Sequence, residues 1–266
     1  MSAIKVNCDL HVHTNISSCG DPESTAALCL GAAKKQGLKS VGFANHCWAS
    51  HLPGASDWYK VQDVDHVLKI KDELSSCPKD VRAYVGCETE YIGNGIAGMD
   101  KETAKLFEFV LIPANHFHMA GFTVPQDLGS GGPAAVRELL YRRFLEVTDL
   151  GFGTGIVHPF TPLGFIDWEE EIMAGFTPSQ FETCFKAAAS AGLGIEIHHD
   201  AIECKKALGE SGFSNLYINM ISSAREAGCK FFFASDAHHP SRMTGYDRLG
   251  ALADLCGVTQ DMIVGF

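Results

Sequence analysis

The chain has 266 residues and no run of about 18 consecutive apolar residues, which argues against a membrane-spanning helix. Positive charge is scarce. Lys and Arg number 21 against 32 Asp and Glu, giving a net charge of -11 with histidine neutral. Such a surface offers phosphate backbones little to hold, so nucleic acid is not expected as a partner. A small phosphorylated molecule is not excluded, because bound metal cations dominate the field at a site. The ten cysteines form no Cys-x-x-Cys pair, and the opening segment Met1-Ser2-Ala3-Ile4-Lys5-Val6 has no long apolar stretch. No export signal is read there, and the thiols are expected to be reduced in a cytoplasmic protein. Charge blocks and low-complexity segments are also missing.

What is present is an alternation. Short apolar runs at residues 6–8, 40–44, 82–86, 109–113, 155–157, 194–197 and 231–234 read as strands of a buried parallel sheet, apolar on both faces. Helical patterns lie between them at 25–36, 63–75, 134–150, 177 to about 192, 215–227 and 246–255. Thr177-Pro178-Ser179-Gln180 reads as an N-cap, a proline at N1 and a capping-box glutamine. Gly37, Gly151, Gly228 and Gly257 stand just past helix ends. The βα repeat predicts one domain over residues 1–266, closed or nearly closed as a TIM-barrel-like α/β barrel, with a doubly wound open sheet as the alternative. The glycine-rich stretch 121–133 reads as a loop.

The chemistry gathers where these strands end, which is where parallel α/β enzymes place their sites. The first run leads to Asp9, His11 and His13, the second to Asn45-His46, and the third to Glu88 and Glu90. The fourth leads to His116 and His118, the fifth to His158. The sixth carries Glu196 and leads to His198-His199-Asp200, and the seventh leads to Asp236, His238 and His239. His11 and His13 are two apart and share one face of an extended strand, so both can reach one ion. Asp236 and His238 repeat that spacing on the strand that a barrel would place beside the first. Nitrogen and carboxylate ligands without paired thiolates suit zinc, manganese or iron. Their number exceeds the needs of one tetrahedral ion, so two or three divalent ions are expected.

Asp9-Leu10-His11-Val12-His13-Thr14 resembles the opening motif of the PHP (polymerase and histidinol phosphatase) superfamily. Asn45-His46, Gly86-Cys87-Glu88, His116-Phe117, Val157-His158-Pro159 and Ser235-Asp236-Ala237-His238 resemble its later motifs in order, over essentially the whole chain. The resemblance is greatest to the histidinol-phosphatase branch. It implies a distorted seven-stranded (β/α)7 barrel with His11, His13, Glu88 and Asp236 on one ion. Glu88 would bridge to a second ion held with His116 and His158, and His46 and His238 would serve a third. The implied reaction is hydrolysis of a small phosphomonoester by a hydroxide held between ions, with Asp236 and His238 in catalytic roles. In this chain Cys19 stands where members often have a further histidine, and whether Cys19 or Asp21 completes the third position is open. The sixth strand reads Glu196-Ile197-His198 in place of the usual Glu-Ile-Asn, and Asn45 replaces a common acidic residue.

Arg242 is the expected phosphate donor, since a guanidinium can hold two phosphate oxygens at once. His198 is expected to contact substrate. Glu90 reads as a supporting or surface carboxylate, and Glu196 as support for its strand end. His66 reads as a structural helix residue, Arg248 as structural and Lys205-Lys206 as a solvated face. The alternative activity is metal-dependent hydrolysis of a C–N or ester bond. A non-catalytic metal-binding role is a third, weaker alternative.

Overall fold

The computed structural model describes residues 4–198 and 213–264. His199, Asp200, Lys205 and Lys206 lie outside the described residues. Eleven strands are described: β1 Cys8–Val12, β2 Ser40–Phe43, β3 His46–Cys47, β4 Arg82–Val85, β5 Cys87–Thr89, β6 Tyr91–Gly93, β7 Ile96–Ala97, β8 Val110–Pro113, β9 Gly155–Val157, β10 Gly194–His198 and β11 Lys230–Ala234. The helices among these residues are α1 Ala26–Lys35, α2 Asp57–Lys60, α3 Val64–Val67, α4 Ile70–Ser75, α5 Lys101–Ala104, α6 Gly132–Thr148, α7 Glu169–Ala174, α8 Pro178–Ser190, α9 Asn215–Glu226 and α10 Tyr246–Leu255. None is long and apolar enough to cross a membrane.

The sheet is parallel and in two pieces, ordered β1-β2-β4 and β11-β10-β9-β8-β5-β3. The pieces share two chain segments. β2 and β3 flank Ala44-Asn45, and β4 and β5 flank Gly86, so each segment pairs in one piece before the break and in the other after it. The break at Gly86 has a packing cause. A Cβ there would lie 2.3 Å from Cζ of Phe109, whose ring occupies the space. The antiparallel hairpin β6–β7 stands apart.

At the other edge β1 lies beside the end of β11. One parallel bridge joins Val12 to Ala237, and the His13 N–H donates to the Ala237 carbonyl at 2.9 Å. Asp9 is fully buried and staples these strands. It accepts from the Ser235 hydroxyl at 2.6 Å, the Ser235 N–H at 3.1 Å and the Tyr246 hydroxyl at 2.6 Å. In place of the expected seven strands, the described residues form a parallel sheet of nine short strands in two pieces, with β3 and β5 continuing just past the ends of β2 and β4. Among the described residues no continuous ladder closes it.

Alternation along the strands sorts the core into two parts. Leu10, Ala44, Tyr84, Phe109, Leu111, Val157, Phe232 and Ala234 pack with one another on one face. Val41, Phe43, Val85, Ile112, Ile156, Ile195, Ile197, Phe231 and Phe233 face the helices. The Thr177 capping box of α8 is present, with the Thr177 hydroxyl accepting from the Gln180 N–H and the Gln180 side chain accepting from the Thr177 N–H. Two expectations change. The helix expected over 63–75 breaks into α3 and α4. The loop expected over 121–133 contains a 3-10 turn at Leu128–Gly131 and the start of α6.

Candidate metal centre

The strand ends bring His11, His13, Glu88 and Asp236 together. His11 Nε2 lies 3.0 Å from His13 Nε2 and 3.4 Å from both Glu88 Oε2 and Asp236 Oδ1. His13 Nε2 lies 3.4 Å from Glu88 Oε2 and 3.2 Å from Asp236 Oδ1. Ligands of a four-coordinate zinc sit at about 2.0–2.2 Å, which places them about 3.3–3.6 Å from one another. The observed spacings fit four donors around one divalent ion. Asp236 Oδ1 has no hydrogen-bond partner although it is buried, as a ligand atom aimed at a cation would be.

Glu88 turns its other oxygen the opposite way. Its Oε1 is also buried and without a hydrogen-bond partner, and lies 3.4 Å from both His116 Nε2 and His158 Nε2. Glu88, His116 and His158 thus form a second donor group. Three protein ligands leave room for a water or substrate oxygen. A third group holds His13, Cys19, His46 and His238, whose donor atoms all lie within 4.8 Å of one another. His46 faces Glu88 across the β3–β5 register, with Nδ1 3.2 Å from Glu88 Oε2.

A further set of side chains fixes each imidazole. Glu196 Oε1 lies 2.7 Å from His11 Nδ1, which leaves Nε2 for the ion. Its Oε2 accepts the His158 backbone N–H. Glu90 Oε2 lies 2.7 Å from His116 Nδ1 and accepts the Tyr59 hydroxyl at 3.1 Å. Asn115 Oδ1 lies 2.9 Å from His158 Nδ1, and Asn115 Nδ2 donates to the His158 carbonyl at 2.7 Å. Ser17 Oγ stands 3.3 Å from His13 Nδ1 and accepts the His46 N–H at 2.8 Å. Asn45 meets His46 only indirectly, because its Oδ1 accepts from Thr14 and from the Ser17 hydroxyl at 3.1 Å. His158 and Asp236 both have positive φ, at 31° and 49°. Non-glycine residues hold that conformation where surrounding contacts impose it, and such residues concentrate at functional sites.

The electrostatics suit a cation. Burial alone would raise the Glu88 carboxyl, but His46, His11 and His116 outweigh it and hold the group well below the usual carboxylate range. The same balance, set by His11 and His13, holds Asp236 low. Burial would also raise the Cys19 thiol, yet His13, His238 and His46 bring it down to about 3. Burial and the neighbouring His116 and His158 lower the His118 imidazole to about 4.

Beside these groups is a cavity of about 700 Å³, lined in part by Cys19, His46, Glu88, His116, Asp236 and His238. Its remaining wall includes Trp58, Tyr59, Met119, Phe122 and Leu163, with His118 among them, and no Lys or Arg among the described residues. The eight expected metal ligands all fall in the three donor groups. The two expected substrate contacts lie elsewhere. His198 is buried behind the centre, with Nε2 3.4 Å from Thr161 Oγ1 and its ring 6.3 Å from that of His158. Arg242 is exposed in the 3-10 turn Pro240–Arg242 and is not among the cavity residues.

The positioning role of Glu196 was not read from the sequence, although its place two residues before His198 puts both on one face of β10. Asn115 and Ser17 carried no sequence signal. His66 is structural as expected, with Nε2 bonded to the Ile16 carbonyl at 2.9 Å.

No protein-family profile matches the chain, and no curated protein matches it. Solved structures give distant likenesses. A chain in the cryo-EM structure of archaeal ribonuclease P with mature tRNA is 10% identical with a TM-score of 0.47, over 94% of this chain and 90% of that one. An uncharacterized protein is 14% identical with a TM-score of 0.45, over 96% and 74%. N-isopropylammelide isopropylaminohydrolase from Burkholderia multivorans is 11% identical with a TM-score of 0.42, over 98% and 71%. Likeness at this level says nothing of the chemistry this chain performs.

Proposed function

We propose that this chain is a metal-dependent hydrolase of the PHP type, a phosphoesterase acting on a small phosphorylated metabolite. The curled sheet is then a distorted (β/α)7 barrel, for which the Val12–Ala237 bridge is the support. One observation carries the proposal: among the described residues Glu88 alone faces all three donor groups, with Oε2 toward His11, His13 and His46 and Oε1 toward His116 and His158. Zinc, manganese or iron in two or three such positions would lower the pKa of water and neutralise charge on phosphoryl oxygens.

The chain's own groups would do the rest. Glu196, Glu90 and Asn115 hold the imidazoles in one tautomer, so no reorientation is needed on binding. Asp236 lines the cavity with one oxygen turned to His11 and His13, and its carboxylate can take the proton of the attacking water. His238, whose Nδ1–H donates to the Asp236 carbonyl at 2.9 Å, would act with His46 at the third position. Trp58, Tyr59 and Phe122 exclude water from one side of the cavity.

A second proposal is hydrolysis of a C–N or ester bond. It is favoured by the same cavity, whose wall among the described residues is largely apolar and aromatic, with no Lys or Arg.

A panel of phosphorylated metabolites, amides and lactones, assayed with zinc, manganese or iron, separates the two. Phosphate release that is lost in His11→Ala and Asp236→Ala is expected. Hydrolysis of an amide or lactone with no phosphate release from any phosphoester would overturn the first proposal in favour of the second. Elemental analysis showing fewer than two ions per chain after reconstitution would overturn both.

A further inference from the structure

We infer that the third position is a sulfur–nitrogen site, built by Cys19, His46 and His238, that takes a thiophilic divalent ion such as zinc in preference to manganese or magnesium. The inference deepens the proposal of a multinuclear hydrolase and rests on it.

The donor set follows by subtraction. Cys19, His46, His238 and His13 bring donor atoms within 4.8 Å of one another. His13 Nε2 already points to the first position, 3.0 Å from His11 Nε2 and 3.2 Å from Asp236 Oδ1. Three donors remain, two imidazoles and a thiol. His46 supplies the independent sign of a ligand. It is 6 % exposed, its Nδ1 is buried with no hydrogen-bond partner, and that atom faces Glu88 Oε2 at 3.2 Å. An unpaired buried nitrogen opposite a carboxylate oxygen costs stability unless a cation or proton lies between them.

Cys19 is held in place by its backbone. The Ser17 N–H donates to the Thr14 carbonyl at 3.0 Å, and the Gly20 N–H donates to the Ser17 carbonyl at 3.0 Å. The Ser18 N–H donates to Gln62 Oε1 at 2.8 Å. The turn is tight enough that a Cβ on Gly20 would lie 2.0 Å from the Thr14 carbonyl oxygen. The Asp21 N–H then donates to the His238 carbonyl at 3.0 Å, tying the loop that carries the sulfur to the segment that carries the imidazole. Asp21 itself is directed elsewhere. Its Oδ1 accepts the Glu23 N–H at 2.8 Å, and its carboxylate groups with Glu23 and His239 on the surface. That choice between Cys19 and Asp21 sets the chemistry. A thiolate is a soft ligand, suited to zinc or iron and poorly matched to magnesium or manganese, which prefer oxygen. The other two positions have only nitrogen and oxygen donors. The centre is therefore unequal, with one ion selected by sulfur.

The test uses full-length protein, stripped with chelator and reloaded with cobalt(II), zinc or manganese. The cobalt form is expected to show a thiolate-to-cobalt charge-transfer band in the near ultraviolet that is missing in Cys19→Ser and in Cys19→Ala. Zinc is expected to slow iodoacetamide alkylation of Cys19, followed by mass spectrometry of its peptide, by roughly tenfold or more, while manganese does not. Cobalt bound without a thiolate band, together with equal alkylation rates with and without zinc, overturns the sulfur site and leaves the hydrolase proposal standing. Failure to bind any ion overturns both.

Discussion

Glu196 serves two donor groups at once, with Oε1 2.7 Å from His11 Nδ1 and Oε2 accepting the backbone N–H of His158. One buried carboxylate on β10 thus sets the tautomer of His11 on β1 and pins His158, the positive-φ residue that follows β9. The coupling explains why a carboxylate that would touch no ion is fully buried at this place.

Glu196→Gln keeps the shape and removes the charge that makes His11 a stronger ligand. Metal affinity is expected to fall by roughly 10–100-fold. Chelator competition against wild type measures it, and an unchanged affinity would remove the positioning role.

Glu88→Gln and Glu90→Gln should differ in kind. Glu88 faces all three donor groups, so Glu88→Gln is expected to lower the number of bound ions by at least one and to abolish hydrolysis. Glu90 contacts only His116 among the ligands, so Glu90→Gln is expected to weaken one position by roughly tenfold and leave the others. Metal counting by elemental analysis, with titration of the last ion, separates the two.

Metal-free protein should lose stability in alkali. Burial disfavours charge on His116, but the carboxylates of Glu90 and Glu88 outweigh it and hold the imidazole up to about 9. A group raised in the folded state contributes stability below its unfolded value of 6.5, and that contribution is lost as pH rises through about 9. Glu88 and Asp236 are depressed, so their contribution is present above the ordinary carboxylate range and is lost on acidification. The thermal midpoint of chelated protein is expected to fall between about pH 7 and about pH 9.5, where zinc-loaded protein changes less because ions replace the protons. Equal slopes for the two forms would contradict this.

Gly86→Ala places a methyl group against the Phe109 ring, 2.3 Å from Cζ. Overpacking of this kind costs about 1–3 kcal/mol. Urea unfolding should show that loss, and Phe109→Leu in the same chain should recover part of it. Additive losses in the double variant would mean that the ring is not the obstacle.

The residues of the three donor groups are legible in the sequence, Cys19 excepted, because each needs only local information. His11 and His13 share a face by strand alternation, and His116, His158 and Asp236 each follow an apolar run. The parallel order of most strands followed from the βα repeat. What escaped depends on distances between strands. His198 and Glu196 share a face of β10, and only the stagger against β1 and β9 decides that Glu196 reaches His11 while His198 packs near Thr161. Charge and nearness in sequence to His238 point to Arg242, but the turn at Pro240–Arg242 keeps it out of the cavity lining. Cys19 sits in a loop without periodicity. The interruption at Gly86 is invisible without Phe109, 23 residues on in the sequence. The β6–β7 hairpin did carry a signal, since Asn94-Gly95 favours a tight turn, and both residues have positive φ.

The staple at Asp9 bears on how the centre comes into being during synthesis. Its partners, Ser235 and Tyr246, lie 226 and 237 residues further along. A ribosome delivers His11 and His13 well before Asp236. Between those moments the nascent protein holds His11, His13 and then Glu88 without the Asp236 that would complete the first position. Contacts of such separation form slowly, after the helices and neighbouring strands are in place. Full assembly of the first position therefore waits on β11 and on the staple that brings it beside β1.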